Sequence, residues 1–331
     1  MRETAIDAFL ADAGWDAARR EKLPGDASFR RYVRLHLPEG SAMLMDAPPT
    51  HEDVRPFARV ARHLASMGYS APRLLAEDVE AGFLLLEDLG DATYTRELAR
   101  GADERALYTM AVDLLIDLHR RADAVAPGIP PYDDARLLAE AALLIDWYMP
   151  AITGASVTDD ARESYLAAWR AVLPLARRVP DTLVLRDYHV DNLMVVAGRG
   201  GLAACGLLDF QDAVIGPASY DLVSLLEDAR RDLAPGLADA MLARYLAAFP
   251  ELDRDAFRAS YAILGAQRSA KIIGMFTRLC RRDGKPRYLA HIPRVWRLLE
   301  GDLAHPALAP VRAWLDRHLP PERRAVPAVS V

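Results

Sequence analysis

The segments TLVLRDYHVDNLMVV (residues 182–196) and GLLDFQDAVIGPASYDL (206–222) decide how this chain folds. Short apolar runs flank the polar loop of the first segment, and a third apolar run leads to the acidic residues of the second. These runs predict three short β-strands joined by loops. Asp187 and Asn192 lie five positions apart in the first loop, and Asp209 follows the third apolar run. Because loops at strand ends are where folds usually present reacting groups, these three residues are the candidate site.

The pattern of these residues favours phosphoryl transfer, which needs a positioned nucleophile and metal ions that neutralise the phosphates. A loop aspartate can accept the proton of a substrate hydroxyl, and an amide with a second carboxylate offers the oxygen ligands that Mg²⁺ prefers. The spacing D-x-x-x-x-N followed by D-F is that of a kinase catalytic loop and metal-binding aspartate. The alternative is that Asp187, Asn192 and Asp209 are only turn and capping residues. All three in register, with Asp221 entering the next apolar helix, favour the catalytic interpretation.

The chain resembles the aminoglycoside phosphotransferase-like small-molecule kinases, whose motif is H-G-D-x-x-x-x-N followed by D-F or D-W. Within that superfamily, the segments GDASFRRYVRL, LMDAPP, LLLEDLGD, LRDYHVDNLM, LLDFQDA and DGKPRYL are similar to the bacterial anomeric kinases of N-acetylmuramate and N-acetylglucosamine. The resemblance extends over residues 25–289 and implies an α+β, bilobal, protein-kinase-like fold. It predicts an N-terminal nucleotide-binding lobe (1–90), built of an antiparallel sheet plus a helix. A mainly helical catalytic and substrate-binding lobe (91–331) is predicted to follow.

The resemblance also implies roles for individual residues. Asp187 corresponds to the catalytic base, and Asn192 and Asp209 correspond to the ligands of Mg²⁺ on the phosphates of ATP. Asp212 is a further candidate, as a metal ligand or a substrate contact. Asp221 is expected to brace the catalytic loop by accepting backbone N–H bonds. The His that usually stands two positions before the catalytic Asp is a Leu here, so apolar packing must supply its bracing.

Nucleotide contacts are implied by the same resemblance. The turn that contains Ser28 is expected to cover the phosphates, and the backbone of Glu87 and Leu89 is expected to pair with adenine. Most kinases carry a phosphate-pairing Lys in the strand predicted at 41–47, but this chain has no Lys between positions 22 and 271. A nearby arginine must replace it. Arg30 is the cation selected for this role, and the arginines at positions 31 and 34 are the alternatives.

Local patterns add expectations about single elements. Apolar spacing predicts an amphipathic helix over 2–21 and another over 52–67 that is capped by Thr50. Alternating residues over 29–46 predict an antiparallel hairpin. The proline-rich segment after position 319 is predicted to fray.

Composition excludes several classes of function. Apolar residues make up 52% and charged residues 27% of the 331 residues, which is typical of a folded protein. The formal net charge of −6 gives no basic field for a nucleic-acid partner, and no apolar run is long enough to span a membrane. Cys205 and Cys280 lie in apolar runs without metal-type spacing, which indicates buried thiols and a cytoplasmic protein. We expect a monomer.

The region from 268 to 297 carries nine Lys or Arg against Asp283 alone. A charge run is usually a solvated surface, and that interpretation stays open. The alternative is that part of it lines the acceptor pocket, with Arg268 and Lys271 as the candidate substrate contacts. A basic wall suits a neutral or anionic sugar, whereas polycationic aminoglycosides need an acidic pocket.

The sequence therefore predicts an ATP- and Mg²⁺-dependent sugar 1-kinase that phosphorylates the anomeric hydroxyl of N-acetylmuramate, N-acetylglucosamine or both in cell-wall recycling. Two other classes remain open. One is a kinase of another small hydroxyl compound, such as an aminoglycoside, choline or homoserine. The other is a nucleotide-binding pseudokinase, which the missing Lys favours and the intact Asp187, Asn192 and Asp209 disfavour.

Overall fold

The strands and helices are known for residues 2–24 and 29–329, which a computed structural model describes; Ser28 lies outside the described residues. The strands are β1 (Arg19–Lys22), β2 (Arg31–Leu37), β3 (Gly40–Asp46), β4 (Leu74–Asp78), β5 (Phe83–Glu87), β6 (Asp181–Val184), β7 (Leu193–Val195), β8 (Cys205–Leu207) and β9 (Val214–Pro217). The α-helices are α1 (Arg2–Asp12), α2 (Arg55–Ser66), α3 (Tyr94–Ala99), α4 (Glu104–Arg120), α5 (Asp134–Leu143), α6 (Met149–Thr153), α7 (Asp159–Ala176), α8 (Tyr220–Leu226), α9 (Leu237–Ala248), α10 (Arg254–Arg281), α11 (Ile292–Leu303) and α12 (Ala309–His318).

These elements belong to two compact units. Unit 1 comprises Met1–Leu114 and Val190–Ala213, and unit 2 comprises Leu115–His189 and Val214–Val331. The segment predicted as the nucleotide-binding lobe, 1–90, falls in unit 1. Unit 1 also takes in the segment that forms β7 and β8, because Val195 donates its N–H to the carbonyl of Ala92. No helix among the residues that the structure describes is long and apolar enough to cross a membrane.

Unit 1 is built around a five-stranded antiparallel sheet in the order β1-β2-β3-β5-β4. The predicted hairpin is confirmed: β2 and β3 pair over their whole length, from Arg31 opposite Asp46 to Leu37 opposite Gly40. Alternate strand residues and helix α1 form the apolar core on one face of this sheet. The buried residues of this core are Ile6, Phe9, Leu10, Ala18, Leu35, Ala42, Leu44, Phe83 and Leu85.

Two helix predictions in unit 1 were wrong in their bounds. The first helix ends at Asp12, because Gly14 turns the chain with a φ of +76°, and residues 19–22 form the edge strand β1. That strand reads RREK and is exposed along its whole length, so it has no apolar pattern that the sequence could reveal. Thr50 does not cap α2, which begins at Arg55 after Asp53 accepts the N–H of Arg55 at 3.0 Å.

Unit 2 is organised around the 28-residue helix α10, of which most residues are buried. Helices α5, α7, α8 and α11 pack against it, and the short antiparallel pair β6–β9 holds the polar loop of residues 185–189. Tyr165 and Trp169 of α7 are fully buried. With a sheet-based unit 1 and a mainly helical unit 2, the predicted α+β class is confirmed.

The C-terminal segment is anchored, so the prediction that it frays was wrong. Arg324 forms ion pairs with Glu300 (2.9 Å) and Asp316 (2.8 Å), and Tyr148 donates its hydroxyl to the carbonyl of Ala325 at 2.7 Å. Arg324 also lies over the ring of Trp296. The contacts with Glu300 and Tyr148 join residues 24 and 177 positions apart, so proline content alone could not reveal them.

A close backbone approach makes Gly274 of α10 a structural requirement. Helix α5 passes into a π-helical turn (Leu144–Tyr148) where it meets α10. A Cβ atom on Gly274 would lie 2.1 Å from the carbonyl carbon of Leu143 and 2.6 Å from the nitrogen of Leu144. Neither backbone atom can rotate away, as a flexible side chain could.

We expect Gly274→Ala to lower the free energy of unfolding by about 2–4 kcal/mol, because α5 must move to admit the methyl group. Gly301→Ala in α11 is the control: no atom lies within 4 Å of its Cβ position, so it should be neutral or stabilise by up to about 1 kcal/mol. Urea unfolding of both variants measures the two effects. A Gly274→Ala variant as stable as Gly301→Ala would contradict the close approach.

Candidate active site

Asp187 lies in unit 2, in the loop that follows β6. Leu185, at the position of the usual His, is 3% exposed, which agrees with a bracing role through apolar packing. Asp187 donates its N–H to the carbonyl of Leu185 at 2.9 Å, and its own carbonyl accepts the N–H of His189 at 3.1 Å. The loop is therefore a tight, hydrogen-bonded turn.

Asp221 fixes the start of this turn from helix α8. Its buried carboxylate accepts the N–H of Leu185 at 2.6 Å and the N–H of Arg186 at 2.9 Å. These are the hydrogen bonds that the resemblance implied. Ser224, one turn further along α8, donates its hydroxyl to the carbonyl of Arg186 at 3.1 Å. Both peptide groups of Arg186 are thus held by one helix.

The charges around Asp187 are mainly positive. Burial alone would raise the pKa of Asp187, but Lys271, His189, Arg268 and Arg186 lower it, and the net shift is downward. The carboxylate is therefore ionised at neutral pH and can accept a hydrogen bond from a substrate hydroxyl.

Arg186 is a feature that the sequence analysis missed. The family motif has Gly at this place, and Arg186 keeps the left-handed backbone that a Gly would adopt easily, with a φ of +71°. For an L-residue that conformation costs roughly 1–2 kcal/mol. Its guanidinium pairs with Glu140 of α5 and lies over the ring of Tyr132. The non-Gly residue in a Gly position was the available sequence signal; Glu140 had none.

The two predicted substrate cations lie beside Asp187 on α10. Lys271 is 3.4 Å from Glu140 Oε1, and its side chain is 15% exposed. Arg268 is 6% exposed and donates from Nη1 to the carbonyl of Glu227 at 3.4 Å. Both cations therefore have protein partners, and Lys271 is the more accessible of the two.

A pair of buried carboxyl groups lies next to Arg268. Glu227, at the end of α8, lies next to Asp302 of α11 and Tyr261 of α10. Burial raises the pKa of Glu227 to about 7, and burial together with Glu227 raises the pKa of Asp302. Ionising both of these carboxyl groups would cost free energy, because burial and the neighbouring like charge each disfavour the ionised form. The pair therefore keeps one proton near neutral pH.

Asn192 and Asp209 lie in unit 1, at the two ends of the β7–β8 hairpin. The N–H of Leu208 donates to the carbonyl of Asn192 at 2.9 Å, which joins the two ends. Asp209 adopts a left-handed φ of +57°, and Phe210 beside it stacks on Phe57 of α2 with 4.9 Å between ring centroids. Aromatic packing thus fixes the backbone that carries the carboxylate.

These two residues line a cavity of about 670 Å³ in unit 1. The cavity combines apolar walls with nine charged side chains, so it offers both a surface for a ring and polar groups for phosphates. Its lining residues are Leu23, Pro24, Arg30, Tyr32, Arg34, Met43, Glu52, Phe57, Pro72, Leu86, Glu87, Asp88, Leu89, Gly90, Asp91, Thr93, Arg96, Asn192, Met194, Leu208, Asp209 and Asp212.

Arg30 is the cation next to Asp209 in this cavity, with 3.2 Å between Nη2 and Oδ1. Burial would lower the pKa of Arg30, but Tyr32, Asp209, Glu52 and Asp212 raise it, so its positive charge is secure. Asp212 is exposed at the cavity wall. Arg34 and Arg96 also line the cavity, and both form ion pairs with Asp91.

Arg34 forms ion pairs of 2.8 Å with both Asp88 and Asp91, and donates to the carbonyl of Gly90 at 3.1 Å. It therefore holds the segment after β5 in place. Of the alternatives weighed for the missing Lys, Arg34 is committed to this structural role. Arg31 is exposed at the start of β2 and is not among the cavity-lining residues.

Glu87 and Leu89, whose backbone is expected to pair with adenine, both line the cavity. The N–H of Glu87 donates to the carbonyl of Arg73 at 2.8 Å, so a base contact from Glu87 would use its carbonyl oxygen. The carboxylate of Glu87 pairs with Arg73 and Arg199, at 3.2 and 2.6 Å. Arg199, in the turn between β7 and β8, also donates to the hydroxyl of Ser70, so this turn is tied both to Glu87 and to the segment before β4.

The oxygen ligands in the cavity fit Mg²⁺. The described residues contain no group of three or more His, Cys, Asp or Glu that could hold a metal by themselves. Mg²⁺ does not need one, because it usually takes one or two protein oxygens and fills its octahedron with phosphates and water. Asp209 and Asn192 offer a carboxylate and an amide oxygen on one cavity wall.

The predicted site residues thus fall into two groups. Arg30, Glu87, Leu89, Asn192, Asp209 and Asp212 surround the cavity of unit 1. Asp187, Asp221, Arg268 and Lys271 come together in unit 2.

The chain is similar to known proteins both in sequence and in fold. Residues 19–259 match the model of the phosphotransferase enzyme family. The chain is 40% identical to the N-acetylmuramate/N-acetylglucosamine kinase of Caulobacter vibrioides over 98% of both chains. It is 41% identical to the kinase of the same name from Pseudomonas aeruginosa, over 91% of this chain and 89% of that protein.

A choline/ethanolamine kinase family protein from Mesorhizobium loti superposes with a TM-score of 0.62 at 16% identity, over 95% of this chain and all of that one. This last likeness shows the fold, and it confirms the predicted protein-kinase-like class.

The Glu227–Asp302 pair predicts a pH dependence of stability. A carboxyl group whose pKa is raised in the folded state contributes stability at low pH that is lost as the pH rises through the folded pKa. We expect the free energy of unfolding of the wild type to fall, relative to Asp302→Asn, by about 1 kcal/mol or more between pH 5 and pH 8. Asp239→Asn, an exposed acid on α9, is the control and should track the wild type. Parallel curves for wild type and Asp302→Asn would contradict a shared proton.

Proposed function

The chain belongs to the phosphotransferase enzyme family, and we propose that it is an ATP-dependent sugar 1-kinase. Its acceptor is the anomeric hydroxyl of N-acetylmuramate, N-acetylglucosamine or both, and its role is in cell-wall recycling. The observation that carries this proposal is the near full-length similarity, at 40–41% identity, to two proteins that bear the names of these sugars. Likeness in fold to choline kinases, at 16% identity or below, does not bear on the acceptor.

In the proposed reaction Asp187 is the base. Its ionised carboxylate orients the anomeric hydroxyl and accepts its proton while the hydroxyl oxygen attacks the terminal phosphorus of ATP. The bond between that phosphorus and the bridging oxygen breaks, and ADP leaves with the electron pair. Lowering of the Asp187 pKa by neighbouring cations keeps the carboxylate in the form that can accept the proton.

We assign the cavity of unit 1 to the nucleotide. The carbonyl of Glu87 and the backbone of Leu89 would pair with adenine, and the apolar walls suit its ring. Asp209 and Asn192 would hold Mg²⁺, which neutralises phosphate charge when bound. Arg30 takes the place of the missing Lys, because it is the cavity cation adjacent to Asp209.

The acceptor assignment is supported by charge. Arg186, Arg268 and Lys271 lower the pKa of Asp187, so the surroundings of the proposed base are electropositive. A polycationic aminoglycoside would be repelled there, whereas a neutral sugar or one with a lactyl carboxylate is favoured.

An intact Asp187, with Asn192 and Asp209, disfavours a pseudokinase. We further propose a cytoplasmic monomer, in keeping with two buried free cysteines.

Turnover of the purified protein tests this proposal. ADP release should be seen with N-acetylmuramate or N-acetylglucosamine, should stop when Mg²⁺ is chelated, and should be absent with kanamycin, choline and homoserine. Asp187→Asn should lower turnover by about 10²–10⁴-fold, because it removes the base without changing shape. ATP binding should be unchanged, which calorimetry can check. A variant that keeps more than a third of wild-type turnover would exclude Asp187 as the base.

A second experiment addresses the sign of the substrate charge. Lys271→Ala should raise the Michaelis constant for N-acetylmuramate by about tenfold or more, because a charge-assisted hydrogen bond to the lactyl carboxylate is lost. The constant for N-acetylglucosamine, which has no such carboxylate, should change much less. Arg281→Ala, an exposed cation further along α10, is the control. Equal losses for the two sugars would mean that Lys271 acts structurally. Arg268→Ala can be compared in the same way.

A further inference from the structure

Glu140 of α5 is the centre of a nearly buried cluster that the proposed reaction does not use. Its side chain is 13% exposed and contacts two cations, the guanidinium of Arg186 and the Nζ atom of Lys271. Tyr132 donates its hydroxyl to Glu140 Oε2 at 2.5 Å, and Gln267 lies within 3.4 Å of the same oxygen. Four side chains from different parts of unit 2 therefore hold one carboxylate.

The cluster is held rigidly from its outer side. Gln267 also donates to the carbonyl of Leu137, one turn before Glu140 on the same helix, at 3.0 Å. Tyr132 packs edge to face against Tyr220 of α8, with 5.1 Å between ring centroids. Glu140 is thus a fixed anion, and Arg186 is the group whose conformation depends on it.

Arg186 needs such a fixed partner because of its position. It precedes the proposed base directly and adopts a left-handed backbone that disfavours a side chain. Asp221 and Ser224 hold its backbone, but without Glu140 its buried guanidinium would lose its carboxylate partner. Without that partner the guanidinium would turn towards solvent, and no side-chain contact would then offset the strain of the left-handed backbone, so the turn that carries Asp187 would relax.

We propose that Glu140 is a positioning residue: by holding the side chain of Arg186, it keeps the left-handed turn that presents Asp187 to the acceptor hydroxyl. Glycine adopts this turn without help, which is why a chain with Gly at position 186 would not need the carboxylate. The inference rests on the proposed role of Asp187, and it assigns no direct contact between Glu140 and the substrate.

The test is a double-mutant cycle on kinase turnover. Glu140→Gln keeps the shape but removes the charge, and we expect kcat to fall by about 10- to 100-fold, since small displacements of a reacting group are costly. The Michaelis constant for ATP should stay within about twofold of the wild-type value. In an Arg186→Gly background, Glu140→Gln should cost at least about threefold less in kcat than it costs in the wild type, because the turn no longer depends on the ion pair.

Two results would overturn the inference. One is an unchanged kcat in Glu140→Gln, and the other is an equal loss in both backgrounds, which would mean that Glu140 acts through Lys271 or through general stability. Asp187→Asn is measured in the same series. If it retains turnover, the proposed base is wrong whatever Glu140 does; if it is inactive while Glu140→Gln is normal, only the present inference fails.

A control and a milder variant complete the design. Asp146→Asn breaks the half-exposed ion pair with Arg162 in the adjoining π-helical turn, and should leave kcat within about twofold of wild type. If Glu140→Gln does not fold, Glu140→Asp carries the test, because it keeps the charge but withdraws it by one methylene group. A partial loss of kcat, again smaller in the Arg186→Gly background, supports the inference, and equal losses overturn it.

Discussion

Two hydrogen bonds accepted by a single buried carboxylate fix the geometry of the loop that carries Asp187. Asp221 accepts the N–H groups of Leu185 and Arg186, two donors that have no strand partner because β6 has ended. Buried N–H groups that lack an acceptor are costly, so this carboxylate determines where the chain leaves the strand. Everything that follows in the loop, including the orientation of Asp187, depends on that start.

The charges of unit 2 follow from the same constraint. A base that must stay ionised while buried needs cations near it, and cations that are buried need acids in turn. Lys271 and Arg186 are cations near Asp187, and Glu140 is the acid that interacts with both of them. Burial alone would raise the pKa of Glu140, but the two cations lower it. The result is a network in which no charge can be removed without leaving another one uncompensated.

In the proposed nucleotide site of unit 1, an arginine takes the place of the phosphate-pairing Lys that most kinases carry. No Lys stands in β3, where Met43 lines the cavity instead. Arg30 enters the same cavity from the segment before β2 and reaches Asp209. The guanidinium of arginine is always charged and can donate two parallel hydrogen bonds to phosphate oxygens. It can therefore bind the phosphates that a Lys would otherwise bind through its single charged group.

The sequence by itself predicted the strands around the candidate site, because apolar runs are local patterns. Its resemblance to a kinase family predicted the α+β class and the acidic and amide residues of the site. It did not determine the edge strand β1, whose residues are all polar, or the anchored C-terminal segment. It selected Arg268 and Lys271 as candidate substrate contacts from a run of charges, without showing which groups they would meet. That Lys271 faces Asp187 and Glu140, and that Glu140 holds Arg186, was decided by the packing of α5 and α10 at Gly274. Such contacts join residues more than 40 positions apart, and no local pattern records which of many charged side chains will meet once the helices pack.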